Sequence, residues 1–272
     1  MSTSHAHTAD LVSGRSGFAA LFARPRWIAS ACIVALAMLG WLYLGYATSS
    51  PWLAALCKPL PPADLALLPF AFAMWAAMVL AMMLPSAAPM ILTYAEIGET
   101  AARKGERIVS PAVLVGGYAL PWLGFAGAAA TMQALLAQLG WLGDGAGFAP
   151  RGFAGLLLIG AGLFQFTALK SVCLTQCSRP FPFLFAHWQT TAPGVFRLGM
   201  RQGGYCIGCC WAMMLLMFAV GTTNVLWMAG LGATMTAEKL VGHRRFTYAL
   251  GLLLLLAGVV TVAGATGWFG AL

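Results

Sequence analysis

Six sulfur-bearing residues fall within twelve positions of one another: Cys206, Cys209, Cys210, Met213, Met214 and Met217. On an α-helix, turning about 100° per residue, they share one face about 140° wide. Thiolates and thioethers are soft ligands, so a thiol cluster running into a thioether stripe suits a soft metal ion. A second pair, Cys173 and Cys177, has i, i+4 spacing and would present both thiols on one side of a helix. Two facing pairs give a tetrahedral set for Zn(II), whereas two or three thiolates suit Cu(I). Lys170, Arg179 and Arg201 lie close in sequence and would stabilise thiolate charge. Cys32 and Cys57 stand alone and read as small apolar packing residues.

Methionines extend the pattern. Met74, Met78 and Met82 recur at i, i+4 and i+8, within about 80° of one another on a helix. Methionine fills irregular gaps in apolar interiors, so this stripe alone reads as packing. Together with Met213 and the thiols it could form a set of low-affinity relay sites leading Cu(I) to a cysteine cluster. Neighbouring histidines, His5, His7, His187 and His243, read as solvated or interfacial.

The elements that must position these residues are transmembrane helices. The chain has 272 residues, of which 61% are hydrophobic and 8% charged, with mean hydropathy +0.84. Soluble domains carry about 25% charged residues, and apolar runs of span length recur along this chain. The expected fold is all-α: one polytopic bundle of about seven spans, within a range of six to eight. Residues 1–26 form a polar tail without a cleavable-signal pattern, and residues 27–272 form a single membrane domain. The expected spans are 27–46, 67–92, 112–139, 153–169, 203–220, 225–237 and 246–268. The fifth and sixth could instead be a broken pair or a re-entrant hairpin. Residues 170–202 form a long loop between spans four and five, and the cysteines open span five at the membrane surface.

Thirteen of the fifteen Lys and Arg residues fall on one side of this arrangement; Lys58 and Arg151 fall on the other. By the positive-inside rule the N-terminus is cytoplasmic and the C-terminus outside. Cys206, Cys209 and Cys210 with the pair Cys173 and Cys177, five in all, then gather at the cytoplasmic face, where thiols stay reduced and a disulfide framework is disfavoured. Polar residues within spans, such as Gln133 and Gln165, should face the bundle interior. Glu238 and Lys239, adjacent in sequence, would pair locally.

These features predict a membrane protein that binds Cu(I), or secondarily Zn(II), through Cys206, Cys209, Cys210, Cys173 and Cys177, with Met213, Met74, Met78 and Met82 as auxiliary sites. Its role would be metal transport, sensing or delivery. Its partners would be the lipid bilayer and a metallochaperone or membrane metalloenzyme. A membrane thiol–disulfide oxidoreductase and a metal-free structural subunit are the alternatives. The basic charge lies in short inter-span loops, which argues against nucleic acid. No Ser/His/Asp set, interior carboxylate pair or phosphate-cradling glycine loop supports hydrolase or kinase chemistry.

Four ordered blocks carry a resemblance. They are Met74-Trp-Ala-Ala-Met-Val-Leu-Ala-Met-Met-Leu-Pro85; Gln165 with Lys170, Cys173-Leu-Thr-Gln-Cys177 and Pro180; Cys206-Ile-Gly-Cys-Cys-Trp211-Ala-Met-Met; and Asn224-Val-Leu-Trp-Met228 with Glu238-Lys239. Over residues 70–242 the chain resembles the bacterial "predicted metal-binding integral membrane protein" family, a domain of unknown function in which Cys-x-x-Cys-Cys-Trp is the most specific motif. The resemblance implies metal binding. Two features depart from the family pattern: Ala168 replaces a proline, which bears on how the chain bends before Cys173, and Thr223 replaces a methionine.

Overall fold

The computed structural model describes residues 25–50, 52, 67–106, 108–142, 150–221 and 224–265. His5, His7, Cys57 and the polar tail through residue 24 lie outside them. The described chain is helical, as expected: α1 (Pro25–Ser49), α2 (Leu68–Arg103), α3 (Pro111–Gln138), α4 (Arg151–Phe164), α5 (Ala168–Ser178), α6 (Pro180–Ala186), α7 (Ala192–Leu215), α8 (Met217–Val220), α9 (Val225–Val241) and α10 (Arg244–Ala265). Among the described residues five helices are long and apolar enough to cross a membrane, or up to six if the bent pair α4–α5 is one broken span. The expectation of about seven falls short at α9. That helix has 17 residues and is about 25 Å long, less than the ~30 Å hydrocarbon core.

The largest departure concerns residues 170–202. They are not a loop: α5, α6 and the first half of α7 occupy them. Side-chain caps and prolines explain the starts. Thr167 accepts from Lys170 N to begin α5, and Thr191 accepts from Gly194 N to begin α7. Pro180 opens α6, and Pro193 sits in the first turn of α7, where the missing N–H costs nothing. The bend between α4 and α5 is 69°. It forms without a proline, through the interruption at Gln165–Thr167 and the Thr167 cap.

Helix α2 is the central element. It packs against α1, α3 and α9, and its face from Met74 to Tyr94 is buried. Pro85 removes the N–H that would bond Ala81 O. Trp41 of α1 donates its indole N–H to that carbonyl at 3.2 Å, which satisfies it inside the bundle. Gln133 faces inward as expected and accepts from Trp75 Nε1 at 2.8 Å.

Two glycine seams set the remaining geometry. Along α3–α7, a Cβ added at Gly199 would collide with Leu114 O, and one at Gly203 would stand 2.6 Å from Tyr118 O. Along α4–α10, added methyls at Gly155 and Gly162 would stand 3.0 Å from Gly258 O and Gly251 O. Backbones meet this closely only where side chains are absent, the device that replaces hydrophobic drive inside a bilayer.

Candidate metal centre

Helices α5 and α7 bring four thiols together. Cys209 Sγ lies 3.8 Å from Cys177 Sγ and 3.3 Å from Cys210 Sγ. The thiols of Cys177, Cys209 and Cys210 all bear on Cys206. Cys206, Cys209 and Cys210 are buried, and Cys177 is partly buried. The i, i+3, i+4 spacing on α7 and the i, i+4 spacing on α5 place these side chains on facing sides of the two helices. The fifth expected thiol, Cys173, is also buried but sits against Gly208, where a Cβ would come within 2.6 Å of its Sγ.

The thiols do not stand at the start of their helix. Because α7 begins at Ala192, Cys206 lies about four turns into the helix. The cluster is therefore inside the bundle, at the level of Met83, Ser86 and Tyr118.

The cation beside the thiols is Lys239. Its Nζ donates to Cys206 Sγ at 2.9 Å and to Ser86 Oγ at 2.7 Å, and the residue is 5% exposed. Tyr118 Oη also touches Cys206 Sγ at 3.0 Å and donates to Met83 O at 3.2 Å. Glu238 and Lys239 do not pair locally. Neighbours on a helix diverge by about 100°, and Glu238 turns instead to Lys170, with Oε2 to Nζ at 2.6 Å and both side chains essentially inaccessible. Lys170 Nζ also donates to Cys209 O at 2.8 Å. Lys170, expected as a cation for the thiols, is thus spoken for by a carboxylate and binds the cysteine helix through its backbone. The polar partners Ser86, Tyr118 and Lys239 were not read from the sequence as parts of the site. The available signal was the cost of a lysine in a span, which requires a partner.

A cavity of about 10 Å³ adjoins the thiols, bordered by Cys177, Cys206, Met90, Gln202, Tyr118 and Lys239. That is near the minimum for one water or ion. Gln202 Oε1 is buried without a hydrogen-bond partner. Met90 is the thioether at this cavity. Met74, Met78, Met82 and Met213 are all buried, at 0–2% exposure, but do not border it. Met82 packs instead beside Gly232 of α9.

Among the described residues no group of three or more His, Cys, Asp or Glu side chains stands as a ready ion-holding set. Four sulfurs each ~2.3 Å from one ion stand about 3.8 Å apart. The Cys209–Cys177 separation already has that value, whereas Cys209 and Cys210 are packed closer, at 3.3 Å. The thiols are assembled but closed on one another.

Residues 72–261 match the PpoB2 family, whose description is copper chaperone. The chain belongs to that family. Neither a curated protein nor a solved structure matches it. The PpoB2 match covers α2 through most of α10 and so contains every residue of the thiol cluster and its polar partners. It ties the chain to copper, in line with a metal-related family.

Proposed function

We propose that this protein is a membrane-embedded copper chaperone that holds Cu(I) among Cys206, Cys177, Cys209 and Cys210 and passes it to a membrane metalloenzyme or a second carrier. The observation that carries the reading is the convergence of four thiols from two helices at one buried point, beside a cavity of single-ion size. Membership of the copper chaperone family supports copper as the metal.

Charge supports Cu(I) as cargo. A Cu(I) bis-thiolate carries one negative charge, which a bilayer interior tolerates only when matched. Lys239 supplies one positive charge at Cys206, while Lys170 is already neutralised by Glu238. Zn(II) bound by four thiolates would leave excess negative charge at the same place. The ion enters at the cavity beside Cys177 and Cys206, where Met90 and Gln202 Oε1 offer further donors, and the Cys209–Cys210 contact spreads by a few tenths of an ångström to accept it. Met82, Met78 and Met74, about 6 Å apart along α2, and Met213 on α7 form the low-affinity relay above the thiols. Cys173 backs α5 against Gly208 and serves the site through packing. The N-terminus is cytoplasmic by the distribution of Lys and Arg.

The test is anaerobic Cu(I) loading of the purified protein, followed by metal analysis. The wild-type chain should retain copper through desalting. A variant with Cys206, Cys209 and Cys210 all changed to Ser should lose it, while Cys32→Ser leaves it unchanged. Equal copper content in the triple variant ends this reading.

A further inference from the structure

A second polar cavity lies on the far side of α5. Residues 170, 173 and 177 of that helix turn toward α7. Ser171, Leu174, Thr175 and Ser178 line a side turned about 120° away, facing the start of α10 across a space of about 200 Å³. Helix α5 is the wall between the thiols and this space.

The lining is unusual for a membrane bundle. Gln165, 1% exposed, has neither amide atom hydrogen-bonded, and Thr247, 5% exposed, has no partner for its hydroxyl. Buried polar groups are paired in most proteins, and within a bilayer each orphan costs more. Both border the cavity, so both have the space to meet a ligand there.

Counting donors and acceptors narrows the ligand. Ser171 and Thr175 donate their hydroxyl protons to Ala168 O and Ser171 O of their own helix. That leaves them lone pairs only. The protons available to a ligand are those of the Gln165 amide, the Thr247 and Tyr248 hydroxyls and the Arg244 guanidinium. Arg244 is held in place by Tyr248, with Nη2 donating to Oη at 2.6 Å and the guanidinium carbon 5.5 Å from the ring centroid. Among the described residues no acidic side chain lines the cavity.

We propose that this cavity is an oxyanion site, taking a phosphate head through Arg244, Thr247 and Gln165. The charge-assisted contact to Arg244 anchors it, and the two orphaned polar side chains complete its coordination. The phosphate can belong to a free anion or to an anionic phospholipid, since the cavity opens beside the first turns of α10. Nothing in this assignment depends on copper.

The experiment is thermal unfolding of the full-length protein in neutral maltoside, with Arg244→Gln and Thr247→Val compared with wild type. Two probes are used: inorganic phosphate, and nanodiscs of phosphatidylcholine with and without phosphatidylglycerol. The expected result is a saturable rise in Tm of a few degrees for wild type (a ligand in excess of its Kd stabilises the native state) and an apparent affinity weakened about tenfold or more by either substitution. A response to inorganic phosphate identifies a free-anion site. A response only to phosphatidylglycerol identifies a lipid-head site. Both substituted proteins should unfold cooperatively without ligand and retain Cu(I). If neither probe raises the wild-type Tm, or if the rise persists unchanged in both variants, the assignment is wrong.

Discussion

At the scale of single residues, the chemistry turns on which lysine faces sulfur. Lys239 bonds Cys206 and Ser86, whereas Lys170 is bound by Glu238. Their replacement should therefore have different consequences. Lys239→Met keeps the apolar stem and removes the charge, so a bound Cu(I) bis-thiolate is left unmatched. Copper affinity should fall about tenfold or more (1.4 kcal/mol per factor of ten), as measured by competition with a chromophoric Cu(I) chelator, with little change in thermal stability. Glu238→Gln should do the reverse. It strands the Lys170 ammonium in the interior, at a cost of about 3–5 kcal/mol. The double change Lys170→Met with Glu238→Gln should recover much of that loss, because no unpaired charge remains. Melting curves of the three proteins check this. The sulfurs themselves were legible in the sequence because helical spacing fixes which side chains share a face. Their partners were not: Ser86 and Lys239 are 153 positions apart, and only the tertiary fold puts them in contact.

At the scale of elements, the site is a contact between two helices whose distance is set by glycines. A methyl at Gly208 would stand 2.6 Å from Cys173 Sγ, so Gly208→Ala should push α5 from α7 and separate Cys177 from Cys206. Copper retention should drop with the thiols intact. Gly204, four residues earlier on the same helix, has nothing within 4 Å of an added Cβ. Gly204→Ala should leave copper retention unchanged and, if anything, stabilise the helix by up to about 1 kcal/mol. Metal analysis of the two variants side by side decides whether the close approach matters. The long apolar helices were visible from hydropathy alone. The helical character of residues 170–202 was hidden, because that stretch mixes prolines, aromatics and polar residues. Its helices are begun by caps and by prolines in first turns rather than announced by an apolar stripe. The bend before Cys173 shows the same thing: a threonine cap, with no proline, accompanies a turn of 69°.

At the scale of the whole molecule, the bundle is built around α2, with the α4–α10 pair joined by its glycine seam as a flank. The positive-inside orientation makes a direct prediction. A periplasm-active reporter inserted after Ser50, between α1 and α2, should be active, and one inserted in the loop between α2 and α3 should be silent. The reverse pattern would invert the route by which copper reaches the thiols. Span number was the least legible global feature, because a 17-residue helix and a 69° bend both sit near the threshold that hydropathy uses to define a crossing.

The burial of Cys206, Cys209 and Cys210 has a kinetic meaning. With each of these thiols 0–2% exposed and Cys177 partly buried, an acceptor would have little direct access to an ion held there on the proposed reading, and helices would have to part before ligands exchange. Release should therefore behave as a gated process. Its rate should level off as acceptor concentration rises, at a ceiling belonging to the opening of α5 from α7. Stopped-flow transfer from the loaded protein to excess chelator would show that plateau. A rate rising linearly without limit would mean the door is already open.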